Sequence, residues 1–170
     1  AFLSLQSKTP FDLFPSEFTI GKKNMLINGL VWMGEEHFMK TQIEEKLAQG
    51  FSCIKLKIGA IDFEKELGLL RFIRQNFDAK TIEIRVDANG AFNSNEALSK
   101  FNQLNEFELH SIEQPIKANQ IQEMKMLCQQ TPFPIALDEE LIGVFGIENK
   151  RKLLEEIQPQ YIILKPSLVG

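Results

Sequence analysis

The sequence is poor in the side chains that usually announce a soft metal or a redox centre. It has two histidines and two cysteines in 170 residues. Cys53 and Cys128 have no metal-ligand spacing and give no disulfide framework, so both read as reduced thiols in packed positions. No apolar run reaches the roughly 20 residues that a bilayer span needs. The N-terminus, beginning at Ala1, lacks the charged-then-apolar layout of a secretory signal. The formal net charge is −4 with no basic stripe, which argues against a nucleic-acid partner. Low-complexity segments are also missing. These absences leave a soluble cytoplasmic protein with neither nucleic acid nor membrane as partner. With 44% hydrophobic residues the chain can bury a real core, and its length suits about one domain.

What is present is a regular alternation punctuated by Gly, Pro and Asn. Strand-like segments fall at residues 25–31, 51–57, 82–87, 109–113, 134–138 and 161–165. Helical periodicity fills the gaps. Met39, Ile43 and Leu47 recur at helical spacing, with Gly50 placed as a C-terminal cap. Phe63, Leu67, Leu70, Ile73 and Phe77 form a second apolar face. Asn93 and Glu96 resemble a capping box opening a helix that buries Leu98, Phe101 and Leu104. Further helices are expected over 120–129 and 148–157. Strands alternating with helices imply an α/β fold with a parallel sheet.

The strand faces favour a closed sheet. In residues 82–87 the even positions, Ile82, Ile84 and Val86 among them, alternate with Glu83, Arg85 and Asp87; Ile54 and Leu56 alternate with Lys55 and Lys57 in the same way. A parallel strand is normally covered on both faces and apolar throughout. A β/α barrel reconciles the two, with aliphatics outward against helices and charges inward. Arg85 is then expected one layer below Asp87, balancing the acids. The competing arrangement, an amphipathic antiparallel strand facing water, does not fit five repeats of strand plus helix.

Five of the six strand-like segments end on a charged residue. Lys57, Asp87, Glu113, Asp138 and Lys165 follow one another at intervals of 30, 26, 25 and 27 positions. Polar residues at the C-terminal ends of successive strands are how such a barrel builds an active site. Asp87, Glu113 and Asp138 are hard oxygen donors, suited to Mg²⁺ and next to Mn²⁺. Any one of them alone reads equally well as a helix cap. Lys55 and Lys57, two apart, share a strand face. Crowding of two ammonium groups is expected to lower a lysine pKa and make a usable base, while Lys165 arrives from a later strand.

With these residues the chain resembles the enolase superfamily in its muconate-lactonizing-like branch. That branch has Lys-x-Lys on the second barrel strand, metal acids ending the third, fourth and fifth, and a lysine ending the sixth. The supporting runs are Arg85 to Phe92, Ser111 to Ile116, Ile135 to Glu140 and Ile162 to Gly170, the last containing Lys165-Pro166-Ser167. The resemblance implies an enolase-type barrel and a Mg²⁺-dependent hydro-lyase. It would dehydrate 2-succinyl-6-hydroxy-2,4-cyclohexadiene-1-carboxylate, a small-molecule carboxylate of menaquinone biosynthesis. It further implies Lys57 as base and then acid, Lys165 as stabiliser of the anion, Lys55 as a residue tuning Lys57, and Asn89 as a support of the site. Asn89 also fits a plain turn position.

The resemblance covers residues 25–170, which account for only about six of eight barrel strands. Residues 1–21 are expected to be the tail of a capping domain or a linker, and 22–170 a partial catalytic barrel of a longer protein. Open barrel edges would permit oligomers. The alternatives are an N-acylamino-acid racemase or dipeptide epimerase on the same barrel, and a catalytically incomplete fragment. His37 and His110 are expected to be structural or solvated, and Trp32 to lie near the mouth, lining it or plugging it.

Overall fold

A computed structural model describes residues 15–169. Most of the stretch expected as a capping-domain tail or linker, residues 1–14, lies outside the described residues, as does Gly170. Residues 16–21 form a turn in which the Thr19 N–H donates to Ser16 Oγ at 3.2 Å.

Six strands follow in order: β1 (Gly29–Val31), β2 (Cys53–Lys57), β3 (Glu83–Asp87), β4 (Ser111–Glu113), β5 (Ile135–Leu137) and β6 (Tyr161–Ile162). All neighbours are parallel and the sheet order is the sequence order. The connecting helices are α1 (Glu36–Ala48), α2 (Phe63–Asn76), α3 (Ser94–Leu104), α4 (Ile121–Gln130) and α5 (Ile147–Ile157), and a short α6 (Pro166–Val169) follows β6. This is six strands of a β/α barrel wall, as expected. The strands are shorter than expected at both margins. β1 starts only at Gly29, leaving Met25, Leu26 and Ile27 exposed, and β6 stops at Ile162, short of Lys165.

Register explains the alternating faces. Leu56, Val86, Ile112 and Ile135 are mutually paired across β2 to β5, and each is fully buried. Their row belongs to the core that also holds Met39 and Ile43 of α1, Leu67, Leu70 and Ile73 of α2, and Phe101 and Leu104 of α3. The row one residue on is Lys57, Asp87, Glu113 and Ala136. Side chains alternate along a strand, so this second row points away from the helices.

Local chemistry sets the helix ends. Asp62 caps α2 by accepting from the Glu64 N–H at 3.1 Å. Asn93 and Glu96 form the expected capping box on α3. After α1, Gly50 takes φ +80° and its N–H closes on the Leu47 carbonyl at 3.0 Å, the left-handed ending that glycine allows. Two charged groups, the half-buried Arg74 and the buried Glu66, had no signature in the sequence. Arg74 of α2 donates through Nε and one Nη to the carbonyls of Phe107 and Ile82, both at 2.8 Å, tying the helix to the turns before β3 and β4. Glu66, 2% exposed, accepts from the Gly59 N–H at 2.6 Å and from Ala60 at 3.3 Å. It thereby clamps the loop after β2. Gly59 has φ +92° there, and a Cβ on it would come 2.3 Å from the Ala91 Cβ, so the loops after β2 and β3 touch at a site only glycine fits.

Cys128 is buried, Cys53 half-buried, and both are free. Burial pushes the Cys128 thiol up to about 12 and the Cys53 thiol to about 11.

The core assignment makes a prediction. Ile84 is fully buried and Leu26 is 94% exposed. Ile84→Ala should cost about 2–5 kcal/mol of unfolding free energy in urea, and Leu26→Ala less than about 0.5 kcal/mol. A near-neutral Ile84→Ala would contradict the helix-facing row.

Candidate active site at the strand ends

The register of β2, β3 and β4 brings four charged side chains together. Lys57 stands opposite Asp87, and Asp87 opposite Glu113. Lys55, one step lower on the same face, reaches up between the acids. Asp87 is fully buried, and one oxygen, Oδ2, receives both lysines, Lys57 Nζ at 2.6 Å and Lys55 Nζ at 3.0 Å. Lys55 also bonds Glu113 Oε2. Lys57 Nζ donates a second bond to Asn89 Oδ1 at 2.6 Å.

Asp138 lies one residue past β5 and is 1% exposed. Its carboxylate is paired with Lys165, which sits between β6 and α6 and not on the strand itself. Four of the six residues expected to carry chemistry therefore form one bonded cluster, Lys55, Lys57, Asp87 and Glu113, and the other two, Asp138 and Lys165, form a neighbouring pair. Asn89 joins the first cluster through Lys57. Its φ is +44°, its backbone N–H donates to Asp87 Oδ1 at 3.1 Å, and its Nδ2 donates to Glu139 Oε1 at 3.0 Å.

Gln114 connects the two groups. It is fully buried with φ +38°. Its carbonyl accepts from the Gly90 N–H at 2.7 Å, and its N–H donates to the Ala136 carbonyl at 2.9 Å. Its side-chain oxygen accepts from the N–H groups of Asp138 at 3.1 Å and Glu140 at 3.3 Å. The loops after β3, β4 and β5 are thus tied to one amide. Neither Gln114 nor Glu139 was given a role from sequence. The only available signal was adjacency, since each directly follows an acid that ends a strand.

Electrostatics differ across the cluster. Burial opposes charge on Asp87, yet the bonds from Lys57 and Lys55 outweigh it and hold its carboxyl below the usual range. Burial raises Glu113 from 4.5 to about 7; its bond from Lys55 counters this, and the neighbouring Asp87 carboxylate adds to it. Lys55 would be lowered by its burial, but its bond to Glu113 and the charge of Asp87 win, and it is held above its ordinary value. The lowering expected from lysine crowding is therefore not found at Lys55, because two carboxylates bond its ammonium directly. Lys165 is raised by its bond to Asp138.

Arg85 departs from expectation. It does not balance the acids: its guanidinium turns to Glu83, with Nη2 2.6 Å from Glu83 Oε1. Two acids of one strand compete for it, and the half-exposed one is the cheaper to pair because Asp87 already has both lysines. Trp32 is 56% exposed, with its ring 5.8 Å from Lys57 Nζ, so it flanks the site and does not plug it. His110 stacks on Tyr161 with ring centres 5.0 Å apart and bonds Ser111 Oγ at 3.0 Å. A cavity of about 380 Å³ lies among Lys55, Arg85, His110, Ser111, Glu113 and Tyr161. A larger hollow of about 640 Å³ lies over the start of α3, between Gly90 and Lys117, and contains none of the clustered acids.

A parallel sheet in sequence order, with lysines ending β2 and acids ending β3 and β4, defines a class. The chain belongs to the family described as enolase C-terminal domain-like, which it matches over residues 39–170. More particularly, it is 55% identical over its whole length to an o-succinylbenzoate synthase from Desulfotalea psychrophila, of which it spans 46%. The crystal structure of MenC from that organism superposes on 92% of the chain with a TM-score of 0.81, the chain covering 43% of it. An L-Ala-D/L-Glu epimerase from Francisella tularensis subsp. novicida is 30% identical over 155 residues, 89% of this chain and 42% of that protein. The o-succinylbenzoate synthase from Thermosynechococcus elongatus BP-1, solved with Mg in its active site, shares the fold (TM-score 0.78, 20% identity, 98% of this chain and 49% of that one). The chain spans under half the length of the curated relatives named here.

Among the described residues no group of three or more His, Cys, Asp or Glu side chains is arranged to hold a metal ion. The lysine ammonium groups take up the carboxylate oxygens instead. The donor chemistry nevertheless fits a hard dication. Asp87 and Glu113 are buried side by side, two hard oxygen donors on adjacent strand ends, and Asp138, just past the end of the next strand, is a third.

The sign of the Glu113 effect is testable. In the metal-free folded chain Glu113 keeps a proton that the unfolded chain has released. Between pH 4.5 and about 7 the folded state then binds more protons, and this group's contribution to stability falls as pH rises through that window. Carbon-13 NMR of glutamate-labelled chain should show the Glu113 carboxyl titrating near pH 7. A midpoint near 4.5 would contradict the burial described.

Proposed function

We propose that the chain carries the acid and lysine machinery of a Mg²⁺-dependent o-succinylbenzoate synthase. This hydro-lyase converts 2-succinyl-6-hydroxy-2,4-cyclohexadiene-1-carboxylate to o-succinylbenzoate in cytoplasmic menaquinone biosynthesis. The single observation that carries this reading is the 55% identity over the whole chain to a protein of that name. The bonded arrangement of Lys55, Lys57, Asp87 and Glu113 supports it.

In this reading Asp87, Glu113 and Asp138 hold the metal, with Mn²⁺ an acceptable substitute. The bound dication supplies positive charge that offsets the charge developing on the substrate carboxylate as the adjacent carbon loses its proton. Lys57, as free amine, takes that proton. As ammonium it then returns it to the departing hydroxyl, which leaves as water, and the ring becomes aromatic. Asp87 and Asn89 hold the Lys57 nitrogen from two sides, so its position is set before substrate arrives. Lys165, anchored on Asp138, offers its charge to the same anion. Lys55 keeps charge on the Asp87 and Glu113 pair within bounds and so tunes Lys57 through Asp87.

An epimerase would use the same two lysines, one to remove and one to return a proton. The 30% identity to an epimerase supports that reading less than 55% supports the first.

The test is a spectrophotometric dehydration assay. It is run on the chain alone and on the chain grafted in place of the matching segment of the Desulfotalea psychrophila protein. Turnover should appear with Mg²⁺ and vanish with chelator. Lys57→Ala should lower kcat by about 10³-fold or more, the scale of losing a general base and its positioning. It should leave Mg²⁺ affinity within a few-fold, whereas Asp138→Asn should weaken Mg²⁺ binding by calorimetry. Near-normal dehydration by Lys57→Ala would overturn the base assignment. Deuterium exchange at the α-carbon of an N-acylamino acid, without dehydration, would favour the epimerase.

A further inference from the structure

We infer that Glu139 is a positioning residue for Lys57, acting through the side-chain amide of Asn89. A primary amide has one accepting end and one donating end. Lys57 as an ammonium only donates, so it must meet Asn89 Oδ1, and it does so at 2.6 Å. Which way the amide points is decided at its other end. There Nδ2 donates to Glu139 Oε1 at 3.0 Å, and an ionised carboxylate only accepts. Glu139 therefore selects the amide orientation that presents oxygen to Lys57. The opposite orientation would place NH₂ against an ammonium at one end and oxygen against a carboxylate at the other.

Three further observations make this selection effective. Asn89 is exposed, so water competes for its amide and a fixed charged acceptor is needed to orient it. The backbone of Asn89 is held by its bond to Asp87 Oδ1, which leaves the amide rotation as its free coordinate. The backbone on either side of Glu139 is anchored, because the N–H groups of Asp138 and Glu140 both donate to Gln114 Oε1, at 3.1 and 3.3 Å. The relay thus runs from the loop after β5, across the loop after β3, to the last residue of β2.

The value of the contact rests on the proposed role of Lys57, but its test needs no substrate. In chain labelled with ¹⁵N at the lysine Nζ, the Lys57 signal is assigned by its loss in Lys57→Arg. Glu139→Ala should shift and broaden that signal. Asn89→Ala should do the same, and the double variant should show no more than either alone, since both act on one contact. Glu139→Gln, which can still accept from Asn89 Nδ2, should stay near wild type. Where Glu139→Ala folds poorly, Glu139→Met, which keeps the bulk but cannot accept from Asn89 Nδ2, should shift and broaden the Lys57 signal in the same way. An unmoved Lys57 signal in Glu139→Ala, or a double variant equal to the sum of the singles, would overturn the relay. Where the grafted enzyme turns over, Glu139→Ala should lower kcat about tenfold with KM within twofold. Absence of any turnover would count against the dehydratase reading and leave the NMR result to decide this one.

Discussion

The Asp87 carboxylate is the anchor of the site. It is fully buried, it ends the strand at the centre of the best-paired part of the sheet, and it holds two ammonium groups on a single oxygen. A charge so placed is expensive unless matched: removing one partner of a buried pair typically costs about 3–5 kcal/mol. Lys55 and Lys57, placed on one face by their two-residue spacing, therefore could not swing to solvent without a large penalty. The outward row of Leu56, Val86, Ile112 and Ile135 places the inward row, and the inward row is stable because Asp87 is paired.

The same arrangement explains why neighbouring acids behave differently. Asp87 has two lysines and is pulled down; Glu113, equally buried, shares one of them and is pushed up to about 7. The formal charges of the cluster balance, two lysines against two carboxylates, and the difference between the acids comes from burial and from how the ammonium groups are shared. A hard dication bound to these acids would have to displace ammonium groups from oxygen. The lysines and the metal are thus competitors for the same carboxylates as well as collaborators in the proposed reaction.

Much of this was legible in the sequence because it depends on period. Alternation of Ile54, Leu56, Ile84 and Val86 with charged residues predicted the two faces, and the near-constant spacing of strand-ending charges predicted their meeting place. The helix-facing residues of α1, α2 and α3 were readable for the same reason. What periodicity cannot encode is the choice among equivalent partners. Arg85 could pair with Asp87 or Glu83 on its own strand, and the outcome depended on lysines from another strand. Gln114, Glu66 and Arg74 act by bonding backbone groups far away in the chain, and no local pattern marks such a residue. The margins of β1 and β6 were overestimated because apolar character continues past the last paired residue.

Gln114 has a consequence beyond holding loops in place. One amide accepts from the backbone at both Asp138 and Glu140, while its own backbone is bonded to Gly90 and Ala136. Strand ends linked this way do not jitter independently. A displacement of the β4 end is transmitted to the β3 and β5 loops together, so distances among the acids vary less than the position of the group as a whole. The strand ends are joined as one unit, so accuracy in the site is relative, kept between its members through a single shared amide.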